Sequence, residues 1–94
     1  MNEEIQNLLE KEINAISKIP IEKNRFEDAI NLIIDQVHSK GGKLVTSGMG
    51  KAGQIALNIA TTFSSTGTPS VYLHPSEAQH GDLGVIQKND VLLL

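Results

Sequence analysis

The chain predicts an α/β fold, a doubly wound parallel sheet flanked by helices, and two observations carry that prediction. Short β-type runs alternate with helical patterns from residue 43 onward, and the first run passes through a glycine turn straight into an Ala- and Ile-rich helix. Alternation of this kind implies parallel strands, right-handed crossovers and helices on both faces of the sheet. Two helices come first. Ile5, Leu8, Leu9, Ile13 and Ile16 recur at helical spacing among acidic residues, so the first segment reads as an amphipathic helix running to about Ile19, where Pro20 ends it. A second helix is expected over Glu22–Ser39, with Phe26, Ala29, Ile30, Ile33 and Val37 as a buried stripe and Gly41-Gly42 as its left-handed stop.

Lys43–Thr46 is the first predicted strand, Lys51–Ser65 the third helix, and Thr66-Gly67-Thr68-Pro69 the turn out of it. Ser70–Leu73 reads as the second strand, Pro75–Gln79 as a short helical turn, Gln87-Lys88-Asn89-Asp90 as a polar turn and Val91–Leu94 as a third strand. Residues 1–40 are thus an N-terminal helical segment, and residues 41–94 the first part of the α/β sheet. A sheet of three strands would leave an apolar edge uncovered, so the expectation is an incomplete sheet, the N-terminal portion of a longer domain.

Gly48-Met49-Gly50-Lys51-Ala52-Gly53 lies where the first strand turns into the third helix. Glycines let the backbone approach a ligand without a Cβ in the way, and the first N–H groups of a helix have no intrahelical partner, so the layout suits an anion. Lys51 strengthens this, because a cation in the first helical turn opposes the positive end of the helix dipole unless an anion compensates it. The plainer alternative is a tight turn with a solvated lysine.

Three better-known phosphate motifs fail on these residues. A P-loop would need a glycine where Val45 stands and a hydroxyl where Ala52 stands. The dinucleotide fingerprint matches at Gly48, Gly50 and Gly53, but the second strand leads into His74 in place of an acid, and the sole arginine, Arg25, lies far upstream. The kinase glycine loop lacks its valine and its lysine. A small phosphorylated ligand remains, held where Ser47–Lys51 and His74–Asp82 face one crevice at the carboxyl ends of the strands.

Composition narrows the classes further. With 94 residues and no cysteine, the chain makes one small domain without disulfides, thiolate nucleophiles or cysteine metal sites. A net charge of −3 without a Lys/Arg cluster argues against nucleic acid as a partner. No apolar run reaches the roughly 18 residues of a membrane span, and Met1-Asn2-Glu3-Glu4 is acidic where a signal peptide would be basic, so the expected location is the cytoplasm. His38, late in the second helix, is expected as a surface side chain favoured by the helix dipole.

Three segments taken together resemble a known family. Ser47-Gly48-Met49-Gly50-Lys51-Ala52-Gly53, Ser65-Thr66-Gly67-Thr68-Pro69-Ser70 and His74-Pro75-Ser76-Glu77-Ala78-Gln79-His80-Gly81-Asp82-Leu83-Gly84 are similar to the sugar isomerase (SIS) domain family, and within it to the arabinose-5-phosphate isomerases. The resemblance implies an aldose–ketose isomerase that interconverts D-ribulose 5-phosphate and D-arabinose 5-phosphate through an enediol, as the first step towards the sugar acid Kdo. It implies a sugar phosphate as ligand, no cofactor, and a homotetramer or homodimer, often with paired CBS domains downstream.

By the same resemblance, Lys51 and His80 match catalytic positions, and Ser47, Gly48, Gly50, Lys51, Gly67, Thr68 and His80 substrate-binding ones. His74 matches a position where zinc binds as an inhibitor. His-x5-His alone is a weak metal signature, and Glu77 and Asp82 suit helix-turn and capping roles better than acid catalysis. The family's serine-rich phosphate loop and later catalytic glutamates and histidine have no counterpart up to Leu94, so the 94-residue chain alone is expected to be inactive. The alternatives are another SIS phosphosugar enzyme, such as a phosphoheptose isomerase, and a non-catalytic phosphosugar-binding fragment. The residue types suit the chemistry: an imidazole titrating near neutrality can move the proton, and a lysine can stabilise an enediolate or a phosphate.

Overall fold

A computed structural model describes residues 2–94. Helix α1 spans Asn2–Ser17 and α2 spans Lys23–Ile33, the latter continuing into a π-helical turn over Ile34–Ser39. Strand β1 is Leu44–Thr46, α3 is Gly50–Ser65, β2 is Ser70–Tyr72, α4 is Pro75–Gln79, and a 3-10 turn at Asp82–Val85 leads to β3 at Val91–Leu93. The three strands pair in parallel in the order β2-β1-β3, with Val45 opposite Val71 on one side and Leu92 on the other. The α/β class, the parallel pairing and the element order are as expected.

Strand β1 is the centre of the core, with Leu44, Val45 and Thr46 fully buried. Helix α3 covers it with small residues: Gly53, Ala56 and Ala60 recur at helical spacing on the buried face, which lets the helix axis come close to the sheet. The one polar side chain in the middle of this contact is satisfied, because the Thr46 hydroxyl donates to the Ala56 carbonyl at 2.7 Å. Gly41, at φ +75°, ends the second helical segment in the left-handed conformation expected of it.

The stripe expected to be buried along the second helix is not. Phe26 is 58% and Ile30 52% exposed, and only Val37, in the π-helical turn, is buried. Helix α1 likewise carries no buried residue. The reason is geometric: both helices lead away from the small sheet, and the chain's radius of gyration is 17.3 Å where a compact chain of this length has about 12 Å. Periodicity identified an apolar face without identifying what covers it.

Candidate active site at the carboxyl edge of the sheet

The order β2-β1-β3 makes β1 the point at which successive connections leave in opposite directions. In open parallel sheets the ligand crevice lies outside the carboxyl ends of the strands at such a point. Ser47 sits there and ties the edge together. Its backbone N–H donates to the Leu93 carbonyl at 3.0 Å, and its hydroxyl donates to the Leu73 carbonyl at 2.6 Å. One residue therefore links the ends of all three strands.

The glycine turn follows. Gly50 has φ +59°, a conformation that costs other residues energy, and it is the first residue of α3. Met49 precedes it in extended conformation, and no side chain caps the helix. The first N–H groups of α3 are thereby left open to a ligand. Lys51 is exposed, and none of the four ion pairs among the described residues involves it. An anion at the turn would meet backbone dipoles and a cation from the same side.

The second wall comes from the segment after β2. His74 starts α4, and its ring Nδ1 accepts from the Ser76 N–H at 3.0 Å. His80 ends α4 and is exposed, beside Gly81 at φ +119°. The chain then folds back along β2, leaving a groove between Val71–Leu73 and Gly81–Val85. A second groove, almost entirely apolar, runs from Ser47 and Ala52 along Ile55 and Ile59 to Leu93 and Leu94.

Ser47, Gly48, Gly50 and Lys51 thus share the carboxyl edge with the loop that carries His74 and His80. Gly67 and Thr68 do not. They precede β2, and the register sets Thr68 five residues below the level of Ser47, roughly 16 Å along the strand. Thr68 is buried at that opposite end, where its hydroxyl meets His38 Nε2 at 3.1 Å. His38 is therefore engaged in a tertiary contact and is more than the dipole-favoured surface residue expected.

Zinc can be tested against His74 on the geometry. A neutral ring whose Nδ1 accepts a hydrogen bond carries its proton on Nε2, which then has no lone pair for a metal. Binding a metal through Nε2 would require the other tautomer and the loss of the Ser76 bond. Among the described residues no three His, Cys, Asp or Glu side chains are grouped to hold an ion.

Two polar contacts were not anticipated. The Tyr72 hydroxyl donates to the Gly48 carbonyl at 2.8 Å, joining β2 to the glycine turn. At the far end Asp90 accepts from the Lys43 N–H, the Lys43 Nζ and the Gln87 N–H at 3.0, 2.6 and 2.7 Å. The sequence carried no signal for the first, since a strand tyrosine reads as packing, whereas an aspartate directly ahead of a strand was the signal for the second.

Fold and edge together define an open parallel-sheet α/β domain with its crevice beside β1. The model of the SIS domain family matches residues 37–94, and the chain belongs to that family. It is 44% identical to the arabinose 5-phosphate isomerase KdsD of Francisella tularensis over 99% of its own length and 29% of that protein. It is 46% identical to the arabinose 5-phosphate isomerase GutQ of Escherichia coli K12 over 87% of its length and 25% of that protein. A crystal structure from Bacteroides fragilis, of a protein considered a phosphosugar isomerase involved in capsule formation, superposes with a TM-score of 0.91 at 67% identity, covering 100% of this chain and 48% of that one. The protein c3406 of E. coli CFT073, in complex with arabinose 5-phosphate, superposes at 0.75 with 39% identity, covering 94% of this chain and 45% of that one. The chain thus spans between a quarter and a third of these curated relatives and about half of these solved chains. No helix among the described residues is long and apolar enough to cross a membrane.

Proposed function

We propose that the protein is an aldose–ketose isomerase interconverting D-ribulose 5-phosphate and D-arabinose 5-phosphate. The observation that carries the reading is the uncapped glycine turn with exposed Lys51 at the switch point of the sheet, in a chain of this family. The N–H groups of Gly50 and Lys51 supply one side of the phosphate site, with Ser47 and Gly48 shaping the turn, and the family's serine-rich loop would supply the other in the full-length protein. A base removes a proton from C1 of the ketose, the C2 oxygen takes up negative charge in the enediolate, the O1 hydroxyl proton passes to O2, and a proton returned to C2 leaves the C1 aldehyde of the aldose. His80 moves that proton, a role worth roughly 10² to 10⁴ in rate, and the Lys51 charge stabilises the anion.

Gly67 and Thr68, at the other end of the sheet, reach a substrate only in a neighbouring copy, which accords with a dimer or tetramer. Self-association would also cover the exposed Ile5, Leu8 and Ile13 of α1. The product would enter Kdo synthesis in the cytoplasm. Zinc belongs to this reading only as an inhibitor at His74, since enediol chemistry with an imidazole base needs no metal. Dialysis against a chelator should leave turnover intact, and turnover restored only by zinc would make the metal catalytic.

The test is conversion of ribulose 5-phosphate in D2O by the protein at the full length of its relatives, followed by NMR. Arabinose 5-phosphate carrying deuterium at C2 supports the reading. A different product, or binding without turnover, replaces it with another phosphosugar enzyme or a binding protein.

A further inference from the structure

Tyr72 reaches out of β2 into the glycine turn, and its surroundings are built around that reach. Its hydroxyl donates to the Gly48 carbonyl at 2.8 Å. The first turn of α3 leaves room for the pair only because residue 53 is glycine: a Cβ there would lie 2.5 Å from the Gly48 carbonyl oxygen and 3.0 Å from the Tyr72 hydroxyl. Gly48 in turn lies so close to α3 that a Cβ on it would come within 3.0 Å of the Ala52 carbonyl. On its other side the Tyr72 ring meets the His74 ring edge-on, with centroids 6.3 Å apart and planes at 89°. One half-buried phenol therefore touches the turn, the start of the helix behind it and the first residue of the second wall.

We propose that Tyr72 is a positioning residue for the phosphate site, acting through the Gly48 carbonyl; this rests on the reading of the glycine turn as the phosphate holder. A carbonyl on a glycine turn rotates easily, and its negative end, if turned into the crevice, would repel the anion that the N–H groups next to it attract. The Tyr72 hydroxyl holds that oxygen away from the ligand and against β2. The N–H groups of Gly50 and Lys51 are then aimed before the ligand arrives, so less ordering is left to do on binding. Since the phosphate does not react, the grip is the same for substrate and transition state, and its loss appears in KM and leaves kcat alone.

The experiment is Tyr72→Phe in the full-length protein, with steady-state kinetics on ribulose 5-phosphate and with inorganic phosphate as a competitive inhibitor. The substitution keeps the ring packing and removes one hydrogen bond. KM and the inhibition constant of phosphate should rise together by roughly 3- to 10-fold, with kcat within about twofold of wild type. Gly53→Ala, which presses on the same carbonyl from the helix side, should raise both constants as well, and it supplies the answer should Tyr72→Phe fold poorly.

Unchanged constants in both variants would overturn the proposal, as would a loss confined to kcat. A wild-type protein that neither turns over the sugar phosphate nor binds inorganic phosphate would instead sink the reading of the site, and the proposal with it. Wild-type binding combined with equal binding by the variants would sink the proposal alone.

Discussion

The two ends of the same three-stranded sheet are finished in opposite ways. At the amino end polar groups are paired with one another: Asp90, whose side chain is 3% exposed, accepts three hydrogen bonds, two of them from Lys43, and His38 meets Thr68. At the carboxyl end the hydroxyls of Ser47 and Tyr72 are spent on holding backbone carbonyls, while Lys51, His80 and the first N–H groups of α3 are left to the outside. Pairing at one end secures the strands, and unpaired charge at the other leaves something for a ligand to satisfy. The contrast separates stability from activity: substitutions of the exposed Lys51 and His80 should cost turnover at nearly constant melting temperature, and those of the paired groups at the amino end the reverse.

The largest effect is expected for His80→Ala, which should lower kcat on ribulose 5-phosphate by roughly 10²- to 10⁴-fold. The melting temperature should hold, because His80 is exposed. A coupled assay for the aldose that finds near wild-type turnover would erase the functional half of the contrast. Lys51→Ala should follow, with a loss of about 2 to 4 kcal/mol in kcat/KM, the range for removing a positioned charge from a developing anion. If kinetics are unaffected, Lys51 is only a solvated turn residue.

Asp90→Ala is the matching test at the amino end and should lower stability by about 2 to 3 kcal/mol in denaturant titrations, leaving one cation and two N–H groups without their partner. The same group gives a pH dependence whose sign follows from its surroundings. Burial pushes the Asp90 carboxyl up, but the Lys43 side-chain hydrogen bond, the N–H groups of Gln87 and Lys43 and the Lys43 charge outweigh it, so its pKa lies below the ordinary 3.8. The folded carboxylate holds its proton less tightly than the unfolded one. Its stabilisation is therefore full above the ordinary carboxyl range and is lost as pH falls through the folded value. Thermal melts should show wild type losing its advantage over Asp90→Asn on acidification, and parallel curves would refute the linkage. The smallest effect belongs to His38→Ala, about 0.5 to 1 kcal/mol for one partly exposed hydrogen bond, and an unchanged midpoint would mean that the Thr68 contact adds nothing.

Much of the fold was legible because it is written locally. The predicted bounds of β1, α3 and β2 fall within one residue of the observed ones, since Gly41-Gly42, the glycine turn and Thr66-Gly67-Thr68-Pro69 punctuate the chain. The order of the strands was not legible, because whether β3 pairs with β1 or with β2 depends on contacts between residues as far apart as Lys43 and Asp90. The fate of the Phe26 and Ile30 stripe was hidden for the same reason: a periodic pattern says which face is apolar and nothing of what lies opposite. At the site, Lys51 and the turn declared themselves through an unfavourable charge at a helix start, and His80 through resemblance. Tyr72 declared nothing, because a strand tyrosine reads as packing until its hydroxyl is seen to have a partner.

The central place of β1 also fixes an order of assembly. Pairing β1 with β2 closes a loop through α3, with partners 26 residues apart, whereas pairing β1 with β3 joins partners 47 residues apart across an intervening strand. Longer closures cost more chain entropy and are met later on the way to the native state. The β1-α3-β2 unit should therefore nucleate, and β3 should dock last, completing the hydrogen bond from Ser47 to Leu93. Pulse-labelled hydrogen exchange during refolding would show the Leu73 amide, bonded to Thr46, protected before that of Ser47.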